Sequence, residues 1–346
     1  MRAEGDSVIN TRSLTKDFVV SRTNTVHAVR GITLDIEPGE LVAVLGPNGA
    51  GKSTTIRMLT TLLTPTSGTA TVAGHDVVTD SAQVRRLIGY VGQGNGAGHT
   101  QRARDELYSQ GLIYGLDRRT ARSRADELLE ALDLTALGGR KVSSLSGGQR
   151  RRLDVAMGLV HAPSLLFLDE PSTGLDPQNR ANLWEHILQM RDSATTPMTI
   201  MLTTHYLDEA DSMAGRVVVV DNGEVIADDT AEALKSELAG DRIVIGVEPE
   251  SASRTAELAT LVGNLPGGRD VTVDGVEVTG RVAEGPRALP ELLRAAHQAG
   301  IVVGTAQVHR PTLDDVFLTL TGRSLREAES NTQEQTAAQA GRKDAA

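Results

Sequence analysis

A glycine-rich loop that follows an apolar run constrains the fold of this chain more than any other feature. Residues 41–45 read LVAVL, and residues 46–53, GPNGAGKS, follow without a break. A short continuous apolar run of this kind is typical of a buried parallel strand. A G-x-x-x-x-G-K-S loop between such a strand and a helix binds phosphate, because backbone N–H groups and the helix N-terminus face the anion. The sequence therefore predicts an α/β fold with a phosphate site at this loop.

The residue types in the loop indicate a nucleoside triphosphate with Mg²⁺. Glycines let the backbone N–H groups turn inward, Lys52 can reach the β- and γ-phosphates, and the Ser53 hydroxyl can ligate the metal. We expect nucleotide contacts from the loop and the start of the helix, at Gly46, Pro47, Asn48, Gly49, Ala50, Gly51, Lys52, Ser53 and Thr54.

A second glycine-containing segment, LSGGQ at residues 145–149, has both a structural and a functional interpretation. Ser146 and Gln149 have the spacing of a capping box for the helix that follows. A capping box does not account for Gly147 and Gly148, because each glycine in a helical turn costs up to about 1 kcal/mol relative to alanine. Glycines are expected there if the phosphate of another molecule approaches the helix N-terminus. The segment therefore predicts a second anion contact.

Two adjacent carboxylates, Asp169 and Glu170, end the apolar run at residues 165–168. Buried carboxylates are costly unless they meet a cation or hydrogen-bond donors, and a helix cap is the structural alternative. Successive side chains of a strand point to opposite faces, so these two neighbours can serve different functions. A third apolar run, residues 199–203, is followed by His205.

In this order, the four elements resemble those of the ATP-binding subunits of ABC transporters, over about residues 7–235. The resemblance implies that Asp169 holds Mg²⁺, that Glu170 is the catalytic base and that His205 bonds the γ-phosphate, with Lys52 as a third catalytic residue. It also implies that residues 146–149 contact ATP held by a second copy of the chain. One loop and one LSGGQ segment per chain then require a twofold dimer with two composite sites.

Three further positions resemble functional residues of the family, and two of them also have a structural interpretation. Gln93 resembles a glutamine that touches Mg²⁺ in a loop that meets the membrane partner, although Gly92 replaces the usual proline and predicts a more flexible loop. Phe18 is a candidate for stacking on adenine, and core packing is its alternative. Asp176 is expected at the dimer interface or as a turn residue before proline.

The arginines at residues 150–152 are predicted to form a solvated or salt-bridged face.

Alternating strands and helices predict an α/β P-loop NTPase core over residues 1–235, with a helical subdomain inserted at about residues 94–163. The order strand–helix–hairpin–helix–strand then predicts a small ferredoxin-like α+β module over residues 236–322, for subunit contact or regulation. Residues 323–346 have no apolar period and predict a disordered tail. Residues 311–323 resemble the corresponding part of drug-exporter ATPases of the daunorubicin-resistance type.

Composition limits the partners. The net charge of −10 argues against nucleic acid, and the absence of cysteine excludes disulfides, thiol nucleophiles and cysteine zinc sites. No segment approaches the roughly 18 apolar residues that cross a bilayer, and the N-terminus lacks a signal sequence. The resemblance implies a peripheral protein at the cytoplasmic face of a bacterial membrane, which drives drug or antibiotic export through an integral permease. The alternatives are a DNA-repair or translation ATPase, and an importer or lipid-exporter ATPase.

Overall fold

The computed structural model describes residues 7–193, 197–236 and 240–322. The chain divides into two compact units, one ending at Ala227 and the other beginning at Asp228. This division precedes the predicted boundary at residues 235–236. The predicted disordered tail, residues 323–346, lies outside the described residues.

Two sheets form the frame of the first unit. Their strands are β1 (Ile9–Ser21), β2 (Asn24–Ile36), β3 (Leu41–Leu45), β4 (Ser67–Val72), β5 (His75–Asp76), β6 (Ile88–Val91), β7 (Leu165–Asp169), β8 (Thr199–Thr203), β9 (Arg216–Asp221) and β10 (Glu224–Asp229). One sheet has the order β10-β9-β3-β8-β7-β6 and the other has the order β2-β1-β4-β5. Strands β3, β6, β7, β8 and β9 run parallel, and β3, β7 and β8 are buried throughout, as their apolar runs predict. Strands β1 and β2, which precede β3, belong to the separate antiparallel sheet.

The helices of the first unit position the loops at the ends of these strands. They are α1 (Lys52–Leu59), α2 (Ser81–Leu87), α3 (Ala103–Ile113), α4 (Arg118–Ala131), α5 (Gly147–Leu159), α6 (Pro177–Asp192) and α7 (Leu207–Met213). Helix α1 ends at Leu59. Its side chains Ile56 and Met58 share one buried cluster with Ile9 of one sheet and Phe167 of the other. The helix after the glycine loop is therefore fixed between both sheets, while α3, α4 and α5 make up the predicted helical insertion between β6 and β7.

The second unit has the predicted ferredoxin-like topology. Its elements are α8 (Ala231–Leu234), β11 (Asp241–Val247), α9 (Thr255–Gly263), β12 (Arg269–Asp274), β13 (Glu277–Val282), α10 (Gly285–Gln298), β14 (Val303–His309) and α11 (Leu313–Thr321). The sheet order is β12-β13-β11-β14 with antiparallel pairing, which confirms the β-α-β-β-α-β prediction. Within the described ranges, no helix combines the length and apolar character that a membrane-spanning segment needs.

Candidate functional site

The glycine-rich loop adopts a backbone conformation that favours glycine. Gly46, Gly49 and Gly51 have φ angles of +150°, +84° and +103°, in a region that other residues rarely enter. A Cβ at Gly46 would lie 2.0 Å from the carbonyl oxygen of Val220, whereas the corresponding space at Gly49 is open. Packing therefore requires glycine at position 46, and at position 49 the backbone is accessible to a ligand.

Helix α1 and Lys52 make this loop an anion site. The helix begins at Lys52 after Gly51, and no side chain of the described residues caps its first amides. Lys52 is only 5 % exposed, and its Nζ donates hydrogen bonds to the carbonyl oxygens of Gly46 (2.6 Å) and Pro47 (3.1 Å). A helix N-terminus and a cation folded over the same loop together favour the binding of phosphate.

The three predicted metal ligands lie together beside the loop. Asp169 is fully buried at the end of β7, and its Oδ1 accepts hydrogen bonds from Ser53 Oγ (2.7 Å) and Thr203 Oγ1 (2.7 Å). Gln93 Nε2 donates to Ser53 Oγ at 3.0 Å. Asp169 Oδ2 is buried and has no hydrogen-bond partner within the part of the chain that the structure describes. An unpaired buried carboxylate oxygen is costly, so this donor set fits a hard divalent cation.

Glu170 and His205 also come together, from neighbouring strand ends. Glu170 has φ +49°, and its N–H donates to the carbonyl oxygen of Thr203 at 3.1 Å. Its Oε2 lies 3.6 Å from His205 Nδ1 and accepts a hydrogen bond from Thr173 Oγ1 at 3.2 Å. The contact with His205 lowers the pKa of Glu170 from its ordinary value; burial opposes this shift, and the charge of Lys52 adds to it. Glu170 is therefore an ionised carboxylate at neutral pH.

The LSGGQ segment forms the predicted capping box. Gln149 N–H donates to Ser146 Oγ (3.3 Å), and Ser146 N–H donates to Gln149 Oε1 (3.0 Å). A Cβ at Gly148 would lie 2.8 Å from Asn179 Oδ1 of α6, so helix packing within the chain accounts for this glycine. No local sequence pattern predicts that contact. The Cβ position of Gly147 has nothing within 4 Å among the described residues. Of the two glycines, Gly147 is therefore the one that still indicates a ligand at the helix N-terminus.

Known proteins match both parts of the chain. A family model described as "ABC transporter" matches residues 29–173, and one described as "ATP-binding protein DrrA1-3-like, C-terminal domain" matches residues 230–321. The daunorubicin resistance ATP-binding protein DrrA3 of Streptomyces coeruleorubidus is 42% identical over 92% of this chain and 98% of its own length. This chain belongs to the DrrA-like ABC transporter ATP-binding proteins. It is thus an ATP-binding, ATP-hydrolysing transporter subunit, as its motifs predicted.

Two further proteins agree with this assignment. The linearmycin resistance ATP-binding protein LnrL of Bacillus subtilis is 36% identical over 86% of this chain and 95% of its own length. The solved structure of cbiO1 from Clostridium perfringens, described as part of the ABC transporter complex cbiONQ, is 27% identical. Its TM-score is 0.60, and the match covers 67% of this chain and 92% of that one. The alternative of a DNA-repair or translation ATPase is not favoured by these relatives.

The sequence left two interpretations open for Phe18 and for Asp176 of this ABC ATPase, and the structure shows the surroundings of both residues. Phe18 lies on β1 opposite Val26 and is 38% exposed, so the core-packing alternative is wrong. Asp176 is the N-cap of α6 and accepts hydrogen bonds from Asn179 N–H (2.9 Å) and Nδ2 (2.6 Å). This cap accounts for Asp176 within the chain, while adenine stacking by Phe18 and an interface contact of Asp176 stay predictions.

The glycine-rich loop after Gln93 is hydrogen-bonded to the helical insertion of this ABC ATPase. The buried Asp154 of α5 accepts two hydrogen bonds at Oδ1, from the N–H groups of Gly96 and Ala97, each at 3.0 Å. Burial raises the pKa of Asp154, and these two bonds oppose that shift. A side chain of α5 therefore anchors the backbone of residues 96–97, while the flexibility expected from Gly92 stays a prediction.

The prediction that the arginine run forms a solvated or salt-bridged face is wrong for Arg151. Arg151 is 8% exposed and donates hydrogen bonds to backbone carbonyl oxygens at the site, including those of Gly92 and Glu170. Arg150 and Arg152 bond carbonyl oxygens elsewhere in the helical insertion. The sequence does not distinguish Arg151 from the arginines on either side of it. Its hydrogen-bond partners are backbone atoms of segments that are distant in the chain.

Proposed function

We propose that this chain is the ATP-hydrolysing subunit of a bacterial exporter that expels a drug or antibiotic through a separate membrane permease. The observation that carries the proposal is the combination of the ATP site with a DrrA-like second unit in one chain. Relatives that share most of the chain are named for resistance to daunorubicin and linearmycin. An importer or a lipid exporter would share the ATP site, and the DrrA-like description of the second unit supports the drug exporter.

We assign the phosphates of ATP to residues 46–54 and place Phe18 at the adenine. The left-handed glycines, the exposed backbone at Gly49 and the buried Lys52 support this assignment. Ser53, Gln93 and Asp169 would hold Mg²⁺. When bound, Mg²⁺ supplies positive charge against the charge that develops on the phosphates during transfer.

We assign hydrolysis to Glu170, His205 and Lys52. The ionised Glu170 carboxylate can orient a water molecule and accept its proton, as a general base does. His205, at 3.6 Å from that carboxylate, can hold the same water and bond the γ-phosphate. Lys52 provides a fixed positive charge at the phosphates. Catalysis of phosphoryl transfer consists mainly of such positioning and charge stabilisation.

We propose that two copies associate head to tail around two ATP molecules. Ser146, Gly147, Gly148 and Gln149 of one copy would face the phosphate loop of the other, with Asp176 at the interface. The open space at Gly147 and the N–H groups at the start of α5 support this arrangement. The permease would meet the loop that follows Gln93, which places the chain at the cytoplasmic face of the membrane. The second unit would contact the other copy or regulate closure.

Copurification tests the transport function. A tagged full-length chain is extracted with detergent from membranes of its own host, and ATP turnover of the recovered complex is measured with and without daunorubicin or linearmycin. The expected result is an integral membrane protein in the complex and a turnover that at least one compound raises. The same complex carrying Glu170→Gln, as control, should show no rise. Recovery of ribosomes or DNA instead of a membrane protein would contradict the proposal.

A further inference from the structure

A single buried guanidinium group contacts the backbone on both sides of the proposed catalytic site. Arg151 Nη1 donates to the carbonyl oxygen of Gly92 at 2.7 Å, and its Nε donates to that of Pro171 at 2.5 Å. Its Nη2 donates to the carbonyl oxygen of Glu170 at 3.2 Å, with a longer contact of 3.4 Å to that of Asp169. One side chain of α5 therefore joins the end of β7 to the loop after β6.

These carbonyl groups belong to residues whose backbone positions matter for the reaction. Gly92 precedes Gln93, which reaches Ser53. Glu170 has φ +49°, a left-handed conformation that costs roughly 1–3 kcal/mol and persists only where the surroundings hold it. The N–H of Glu170 is held by Thr203, and its carbonyl group by Arg151. Both ends of the strained residue are thus fixed by hydrogen bonds.

The chemistry of arginine suits this arrangement. A guanidinium group carries five donors in a rigid planar fork, whereas lysine carries its three donors on one nitrogen. The three nitrogens of Arg151 divide their bonds between two chain segments. A lysine at this position keeps the charge and much of the aliphatic stem, but its single nitrogen cannot occupy three donor positions at once.

We propose that Arg151 is a positioning residue that sets the backbone of Glu170 and ties it to the helix that begins with the LSGGQ segment. Residues 147–159 form one continuous helix, so its N-terminal turn and Arg151 move together. A nucleotide of the second copy that engages Gly147 thereby acts on the Glu170 backbone through Arg151. This inference rests on the proposed role of Glu170 as base.

The variant Arg151→Lys tests the proposal in the full-length chain, in complex with its permease. We expect kcat to fall roughly 100-fold, as small displacements of catalytic groups do, while KM for ATP stays within about twofold. Arg152→Lys is the matched control, since Arg152 bonds the Leu132 carbonyl oxygen away from the site, and its turnover should stay unchanged. A crystal structure of Arg151→Lys should show Glu170 outside the left-handed region. Wild-type turnover with an unchanged Glu170 backbone would overturn the proposal.

A double variant separates positioning from general damage. If Arg151 acts through Glu170, adding Arg151→Lys to Glu170→Gln should change turnover and ATP affinity by less than about twofold. A further large fall in either quantity would mean that Arg151 merely supports the fold, and would overturn the inference. If Glu170→Gln alone hydrolyses ATP at the wild-type rate, the proposed base fails instead, so the two failures are distinguishable.

Discussion

Glu170 Oε2 lies 3.6 Å from His205 Nδ1, although the two residues follow different strands of the chain. Strands β7 and β8 are parallel neighbours, and parallel strands bring their carboxyl ends to the same edge of a sheet. The contact lowers the pKa of Glu170. The proposed hydrolysis depends on this ionised carboxylate, which lies beside an imidazole and next to the phosphate loop.

Replacing the carboxylate tests this arrangement directly. Glu170→Gln should lower ATP turnover by about 10²–10⁴-fold, the usual contribution of a general base, because an amide cannot accept the proton. ATP affinity should stay unchanged, since the phosphate loop is untouched, and equilibrium binding of a fluorescent ATP analogue measures it. Glu185→Gln, an exposed change on α6, is the control. A Glu170→Gln variant with near wild-type turnover would refute the base assignment.

The lowered pKa of Glu170 predicts the pH dependence of stability. A carboxylate whose folded pKa lies below its ordinary value of 4.5 stabilises the fold above that pH. This stabilisation is lost as the pH falls from 4.5 through the lower folded pKa. His205→Ala removes the largest cause of the shift, so the drop in Tm between pH 7 and pH 3.5 should be smaller in the variant. Calorimetry at a series of pH values measures the difference, and an equal or larger drop would contradict the prediction.

Gly46 should be the most sensitive glycine of the phosphate loop to a methyl group. In Gly46→Ala the Cβ would lie 2.0 Å from the Val220 carbonyl oxygen at a φ of +150°, so β3 and β9 must separate locally. We expect a loss of at least about 2 kcal/mol in the free energy of unfolding. Gly139→Ala serves as control, because its Cβ meets open space and it has no left-handed φ. Denaturant unfolding compares them, and equal stabilities would show that the loop yields more easily than its packing indicates.

Gly147→Ala separates a folding role from a ligand role. The added Cβ meets nothing within 4 Å in the described chain, and alanine favours a helical turn by up to about 1 kcal/mol. The variant should therefore be as stable as the wild type or more so, while its ATP turnover falls at least about tenfold because the methyl group obstructs a nucleotide. Thermal unfolding and turnover are measured on the same preparation. Unchanged turnover would remove the argument that this glycine faces a ligand.

The sequence predicts the parallel strands and the motif residues well because their signals are local. A continuous apolar run indicates a buried strand, and a glycine loop between that run and a helix indicates a phosphate site, without knowledge of the rest of the fold. The side chains of Ser53, Asp169 and Gln93 meet because Asp169 ends β7, Gln93 follows β6 and Ser53 lies in the first turn of the helix after β3, and these three strands belong to one sheet.

Contacts between distant backbone segments could not be predicted in this way. Gly148 is explained by Asn179 of another helix, and Arg151 by carbonyl groups of two other segments. Strands β4 and β5 were also missed, since SGTATV at residues 67–72 is short and half polar and β5 has only two residues. Such strands are defined by pairing, of β4 with β1 and of β5 with β4, and sequence periodicity does not contain this information.

The central claim is that each ATP lies between the phosphate loop of one copy and the LSGGQ segment of the other. Two full-length chains test it, Lys52→Ala and Ser146→Arg, each also carrying Glu170→Gln to arrest hydrolysis. Light scattering after size-exclusion chromatography with ATP gives their masses. Each chain alone should be monomeric, whereas the mixture, which can form one intact site, should contain dimers, as should Glu170→Gln alone. A mixture that stays monomeric while Glu170→Gln dimerises would contradict the composite site.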